Sequence, residues 1–283
     1  MSLPDVPEQT APANQTAPFS PTTPGVLIRS LTATGVALHR LSLVLVLIFV
    51  WELLSRLGWI NVQVFPAPSA IGHAIVGKLM SGSLLSDVWA SLSRVFIGVL
   101  IASILGVSLG SLLARYPRVA FYLSPLIELV RPISVIAWIP VAIIWFGLGD
   151  KSAWFIIALG AFFPIFTNTY TGMKQIPKVY LQAARTLGLG RWLFFSQVLW
   201  PAALPSILSG IRIGLGVGWM CVIAAELIAA SSGLGYMIQT ARVLIETELV
   251  FAGMIIIGIV GFAMNWLMLL LEHRLTPWLR NNH

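Results

Sequence analysis

Polar residues are sparse along this chain, and where they fall they divide it into long apolar runs. A hydrocarbon layer about 30 Å thick is crossed by roughly 20 helical residues. Runs of that length occur at about Leu38 to Leu57, Leu92 to Ala114, Phe121 to Phe146, Ala153 to Met173, Ile207 to Ala230 and Val250 to Leu271. They predict an all-α, polytopic membrane protein with six transmembrane helices. Between the first two, "FPAPSAI" reads as a turn leading into an amphipathic helix at the interface. Small residues recur every fourth position in the second run (Gly98, Ala102, Gly106, Gly110) and in the fifth (Gly210, Gly214, Gly218). Each series gives a flat stripe on which another helix packs closely. Pro132, Pro140 and Pro164 interrupt the third and fourth runs, each removing a backbone donor. Broken helices at membrane depth line a cavity or pack within protein, which favours transport over simple anchoring.

Composition agrees: 58% of the 283 residues are hydrophobic, 10% are charged and the mean hydropathy is +0.90, which leaves no room for a large soluble domain. Residues 1–28 are rich in Pro, Thr, Ala and Gln and read as a disordered cytoplasmic tail. With Asp5 and Glu8 where a basic region would stand, this stretch is no secretory signal, and the first span is expected to serve for insertion. Residues 29–283 then form the membrane domain. The net charge of +7 is spread over the loops, so nucleic-acid binding is not expected.

Charge sets the orientation. With both termini cytoplasmic, the inner segments hold Arg29, Arg40, Arg115, Arg118, Lys174, Lys178, Arg185, Arg191, Arg274 and Arg280. The outer ones hold Arg56, Lys78, Arg94, Lys151 and Arg242, a bias of about two to one. Cys221 is the single cysteine and lies in an apolar run, which excludes a disulfide within the chain. His39, His73, His273 and His283 are scattered, so neither a metal site nor a catalytic site is predicted. Neither "GLG" at 188–190 nor "GLGVG" at 214–218 follows a predicted strand, and no phosphate loop is present. The chain is expected to bind no cofactor of its own.

Ionisable groups inside the runs mark candidate pathway or gate residues. Glu128 and Arg131, three apart, can pair at the inner interface; Arg212 can snorkel or join a gate. Glu226, deep in "CVIAAELIAASSGLG", would repel an anion if bare, and is expected to hold helices together. Ser231 and Ser232 near the outer end, and more weakly Asn168 and Thr169, offer polar groups to an oxyanion. An ion-gradient-driven secondary transporter or channel would instead use Glu226 as a proton or sodium site.

One loop differs from its surroundings. From Lys178 to Trp192 the pattern predicts an amphipathic helix of about four turns, with Val179, Ala183, Leu187 and Trp192 on one side. Lys178, Gln182, Arg185 and Arg191 lie on the other, and Pro201 and Pro205 are expected to turn the chain back toward the fifth span. Held by membrane helices at both ends, such a segment is a short lever on the cytoplasmic side, within a loop at about 174–206.

These residues resemble the EAA loop of binding-protein-dependent ABC importer permeases: E-A-A, three residues, G, nine residues, I-x-L-P. Gln182, Ala183, Ala184 and Gly188 fall at that spacing, followed by Val198, Trp200 and Pro201. Gln182 stands for Glu, Val198 for Ile and Trp200 for Leu. The stretches "RPISVIAWIPVAIIWFGLGDKSAWF" and "SGIRIGLGVGWMCVIAAELIAASSGLGYMI" are similar to the nitrate, sulfonate (including taurine) and bicarbonate subgroup. The resemblance implies a type I importer permease fold and a homodimer in the bacterial inner membrane. It also implies two cytoplasmic ABC ATPase subunits, holding ATP and Mg, docked around Gln182, Ala183, Ala184, Arg185, Gly188 and Arg191. An extracytoplasmic binding protein would deliver the anion.

Overall fold

The computed structural model describes residues 42–43, 45–59 and 61–277. Contacts divide the chain into Met1–Trp51 and Glu52–His283. In the first unit residues 45–51 are helical. The tail expected over 1–28 lies outside the described residues, and so does part of the expected first span, Leu38 to Leu57.

The second unit opens with helical residues 52–56 (α1). Then come α2 (Pro68–Met80), α3 (Ser83–Arg115) and α4 (Pro117–Val130), followed by a 3-10 turn (Val135–Trp138) that leads into α5 (Ile139–Phe146). After α6 (Asp150–Lys174) the chain forms α7 (Lys178–Thr186), α8 (Arg191–Phe194) and a π turn (Phe195–Leu199). It continues through α9 (Trp200–Ala229), α10 (Leu234–Val243) and α11 (Thr247–Leu275). All regular structure among the described residues is helical.

Four of these helices, α3, α6, α11 and the stretch ending in α9, are long and apolar enough to cross a membrane. The third predicted span is broken: α4 and the Val135–Phe146 stretch meet at 88°. Pro132 lies in that break and Pro140 in the first turn of α5, where a missing N–H costs nothing. Pro164, in contrast, sits inside an unbroken α6 of 25 residues. Glu128 and Arg131 flank the bend and are both exposed, and no ion pair joins them.

The core is organised around α6. Both predicted small-residue stripes pack on this one helix. A Cβ on Gly98 would lie 2.6 Å from Ile157, and one on Gly110 would lie 3.0 Å from Thr169. From the other side, Cβ atoms on Gly210 and Gly214 would each come within 2.8 Å of Asn168 and Ile165 respectively. Gly160 on α6 returns the arrangement by receiving Cys221 of α9. α6 is therefore clasped between α3 and α9, and Ile156, Ile157, Ala161 and Ile165 are almost wholly buried. α11 contributes little to the core: only Ala252, Gly253, Ile256 and Met268 are buried along its 29 residues.

Replacing Gly98 by Ala should lower the thermal midpoint of the purified protein, since the added methyl meets a β-branched side chain and the Trp154 carbonyl. Overpacking of this kind costs about 1–3 kcal/mol. Gly216→Ala, where a Cβ meets nothing within 4 Å, should leave the midpoint unchanged or higher.

Candidate functional sites: a coupling loop and a buried ion cluster

At one end of α6 and α9 lies the amphipathic segment. α7 is shorter than its pattern predicts, nine residues rather than four turns. The cause is Gly188, whose φ of 64° places it in the left-handed region. Leu189 N–H donates across it to the Ala184 carbonyl, closing the helix end. The face expected to be apolar points outward: Val179 is 69% exposed, Leu187 77% and Trp192 77%. Gln182 and Ala183 are also exposed, whereas Ala184 is buried and anchors the segment. Arg185 lies within α7 and Arg191 opens α8.

Pro201 and Pro205 do not turn the chain, contrary to expectation. Pro201 sits in the first turn of α9 and Pro205 inside it, so the path from Trp192 to Ala229 is continuously helical. Its irregularity is the π turn, in which Trp200 N–H donates to the Phe195 carbonyl five residues back. Pro201 has no N–H to offer the Gln197 carbonyl, and widening the turn relieves the clash that the proline ring would make there. Trp192, Phe195 and Trp200 stack along this stretch. Beside it is an open cavity of about 600 Å³ lined in part by Gln175, Ile176, Tyr180, Gln197, Pro201 and Ser206.

At the opposite end of the same helices is a cluster that the hydropathy pattern concealed. Arg94, counted from sequence as an outer-loop residue, lies well inside α3 and is 5% exposed. Its Nε donates to Asp150 Oδ1 and its Nη1 to Glu226 Oε1, both at 2.7 Å. Nη1 also reaches the Ser232 carbonyl and Nη2 the Ser232 Oγ, again at 2.7 Å. Glu226, 1% exposed, accepts further bonds from Ser91 Oγ and from the Gly235 N–H, at 2.9 Å each. Gly233 N–H donates to Asp87 Oδ1 and Leu234 N–H to Ser91 Oγ. The first N–H groups of α10 are thus met by side chains of α3 and α9, and Gly149 N–H is met by the Ala229 carbonyl.

The arrangement locks α3, the start of α6, the end of α9 and the start of α10 to one another. It leaves Glu226 with no free oxygen for a travelling proton or sodium ion unless the cluster opens. Of the predicted pathway residues, Glu226 and Ser232 belong here. Ser231 is exposed beside them. Asn168 is elsewhere, its Nδ2 bonded to the Pro164 carbonyl and its Cβ against Gly210. Arg212 pairs with Glu272 of α11 at 3.2 Å, and Arg131 stays exposed at the bend. Asp87, Ser91, Arg94 and Asp150 were missed from sequence. The available signal was Arg94 and Asp87 seven apart on one helical face, opening an otherwise apolar run.

Residues 98–277 match a family described as "Binding-protein-dependent transport system inner membrane component". The chain belongs to this family. It is 38% identical to the taurine transport system permease of Escherichia coli, over 82% of this chain and 86% of that one. With a putative aliphatic sulfonates transport permease of Bacillus subtilis the identity is 37%, over 84% and 86%. The crystal structure of an amino acid ABC transporter with histidines shares the fold: the TM-score is 0.56 at 17% identity, covering 70% of this chain and 94% of the other. As an ABC permease the chain is a membrane-embedded transport subunit and not an enzyme, and its family works with ATPase and binding-protein partners.

Arg94→Leu in this permease should cost about 3–5 kcal/mol, because Glu226 is left buried with no counter-charge. Adding Glu226→Gln, which keeps an acceptor for the Gly235 N–H, should recover part of that loss. Thermal or denaturant unfolding in detergent measures both.

Proposed function

We propose that this permease lines the path of a small oxyanion through an ATP-driven importer, with an aliphatic sulfonate such as taurine favoured over nitrate or bicarbonate. Two copies form the transporter in the bacterial inner membrane, both termini facing the cytoplasm. The apolar residues left exposed on α4, α5 and α11, among them Phe121, Leu129, Ile144 and Phe262, are covered by the second copy and by lipid.

The observation that carries this reading is α7: an outward-facing apolar strip of Val179 and Leu187, ended by the left-handed Gly188 and joined through a π turn to α9. A cytoplasmic ATPase seated on that strip can push on α9 along its axis, because the path from Trp192 onward is helical. Closure of the ATPase pair on ATP moves α7, the bundles rock, and a central pathway between the two copies opens to the loaded binding protein. Hydrolysis resets the gate. Solute must bind the two states with different affinity, since equal affinity would drive nothing.

Arg94 is already satisfied by two carboxylates and Ser232, so it does not bind the anion; Ser231, exposed next to it, remains as an outer contact. The α7 end should be sensitive to backbone change. Gly188→Pro cannot adopt a φ of 64° and should abolish solute-dependent ATP hydrolysis while the protein still inserts and purifies with normal yield. Normal uptake by that variant would overturn the coupling role. The substrate is tested by reconstituting permease, ATPase and binding protein and offering taurine, other alkanesulfonates, nitrate and bicarbonate separately. Taurine or another sulfonate should stimulate hydrolysis most; stimulation by none of the four would overturn the oxyanion reading.

A further inference from the structure

We infer that the tip of α10, formed by Val243, Leu244 and Ile245, is an anchor for the extracytoplasmic binding protein. The inference rests on the importer reading above and names the surface on which that partner sits. α10 ends in the same backbone turn as α7. Ile245 N–H donates to the Arg242 carbonyl and Glu246 N–H to the Ala241 carbonyl, across a residue in the left-handed region. At the end of α7 that residue is Gly188, which has no Cβ to clash. At the end of α10 it is Ile245, with φ of 62°, the one non-glycine with positive φ among the described residues. A β-branched residue is among the least suited to this conformation.

Nothing within the subunit accounts for the choice. Ile245 is 79% exposed, and Val243 and Leu244 beside it are 68% and 60% exposed. An isoleucine kept in a strained position without burial points to a use for its side chain outside the subunit.

The location indicates which partner. α9 has 30 residues and therefore spans about 45 Å, longer than a hydrocarbon core of about 30 Å. α10 follows its far end and the membrane-length α11 starts directly after the tip, so the tip lies at the end of the bundle opposite the coupling loop. That is the side on which the soluble partner of this family delivers solute. The surroundings suit a soluble protein better than lipid. Exposed Arg242 and Glu246 border the tip. An open groove of about 740 Å³ between α2 and the start of α11 adjoins it, lined by His73, Lys78, Ser81, Glu246 and Glu248 among others. A small apolar knob with a charged rim is the anatomy of a protein interface. Carboxylates at its edge disfavour insertion among anionic headgroups. The clamp of Asp87, Ser91 and Glu226 on the first turn of α10 fixes where the knob stands.

The test uses the reconstituted complex and the binding protein that stimulates it, loaded with the anion found effective above. Ile245→Gly should leave basal ATP hydrolysis unchanged and the thermal midpoint equal or higher, since glycine suits the turn. The binding-protein concentration giving half-maximal stimulation should rise roughly tenfold or more. Leu244→Ser, which does not touch the strained position, should shift it in the same direction. An unaltered half-maximal concentration in both variants, with wild-type stimulation intact, overturns this inference alone. So does a photo-crosslinker at Val243 that captures lipid or the second permease copy. A wild-type complex that no binding protein stimulates overturns the importer reading and this one with it.

Discussion

A guanidinium group among apolar helices is tolerated only when acceptors for its donors are supplied by the protein itself. At Arg94 they come from α6, the end of α9 and the turn before α10, all far from Arg94 in sequence. The same cluster supplies Asp87, Ser91 and Glu226 to the N–H groups that open α10. Folding must therefore bring the ends of four helices together at once, or leave charge buried and unpaired. This requirement fixes the end of the bundle opposite α7. It also accounts for a carboxylate at Glu226 among apolar helices: its charge is matched by Arg94.

What the cluster does at one end, small residues do along the length. Gly98 of α3 and Gly210 and Gly214 of α9 admit α6 so closely that a side chain there would have to displace something on it, and Gly106, Gly110 and Gly218 leave only slightly more room. Close packing of this kind replaces the hydrophobic drive that is missing between helices in lipid. α3, α6 and α9 are held along their length and pinned at one end, whereas the α4–α5 pair is bent by 88° and α7 is joined to them by short connections. The π turn before Pro201 lies between α7 and the long α9, and it is the one irregular step on the helical path from Trp192 to Ala229.

The two helix ends built on the same turn, after α7 and after α10, differ in one residue and in what that residue is for. Gly188 lets a lever end abruptly with no side chain in the way. Ile245 accepts an unfavourable backbone so that a side chain can stand clear of the surface. Both positions are exposed, and the Ile245 side chain is not explained by burial within the subunit.

The hydropathy pattern by itself determined that the chain is a helical membrane protein and where five of its apolar spans run, because a bilayer demands runs of fixed length. The amphipathic pattern located the short helix that ends at Gly188, and the four-residue glycine spacing located the packing faces. Helix ends were less legible: α3 begins at Ser83, before the expected Leu92, and the added turns carry Asp87 and Ser91, whose partners at the start of α10 hydropathy cannot count. Pro164 and Pro205 leave their helices unbroken, while the chain does bend near Pro132. Only the tertiary structure decided which charges meet. Arg94, Asp150 and Glu226 are 56 and 132 residues apart from Arg94 outward, and a pairing across such distances depends on how helices are stacked, which no local pattern encodes.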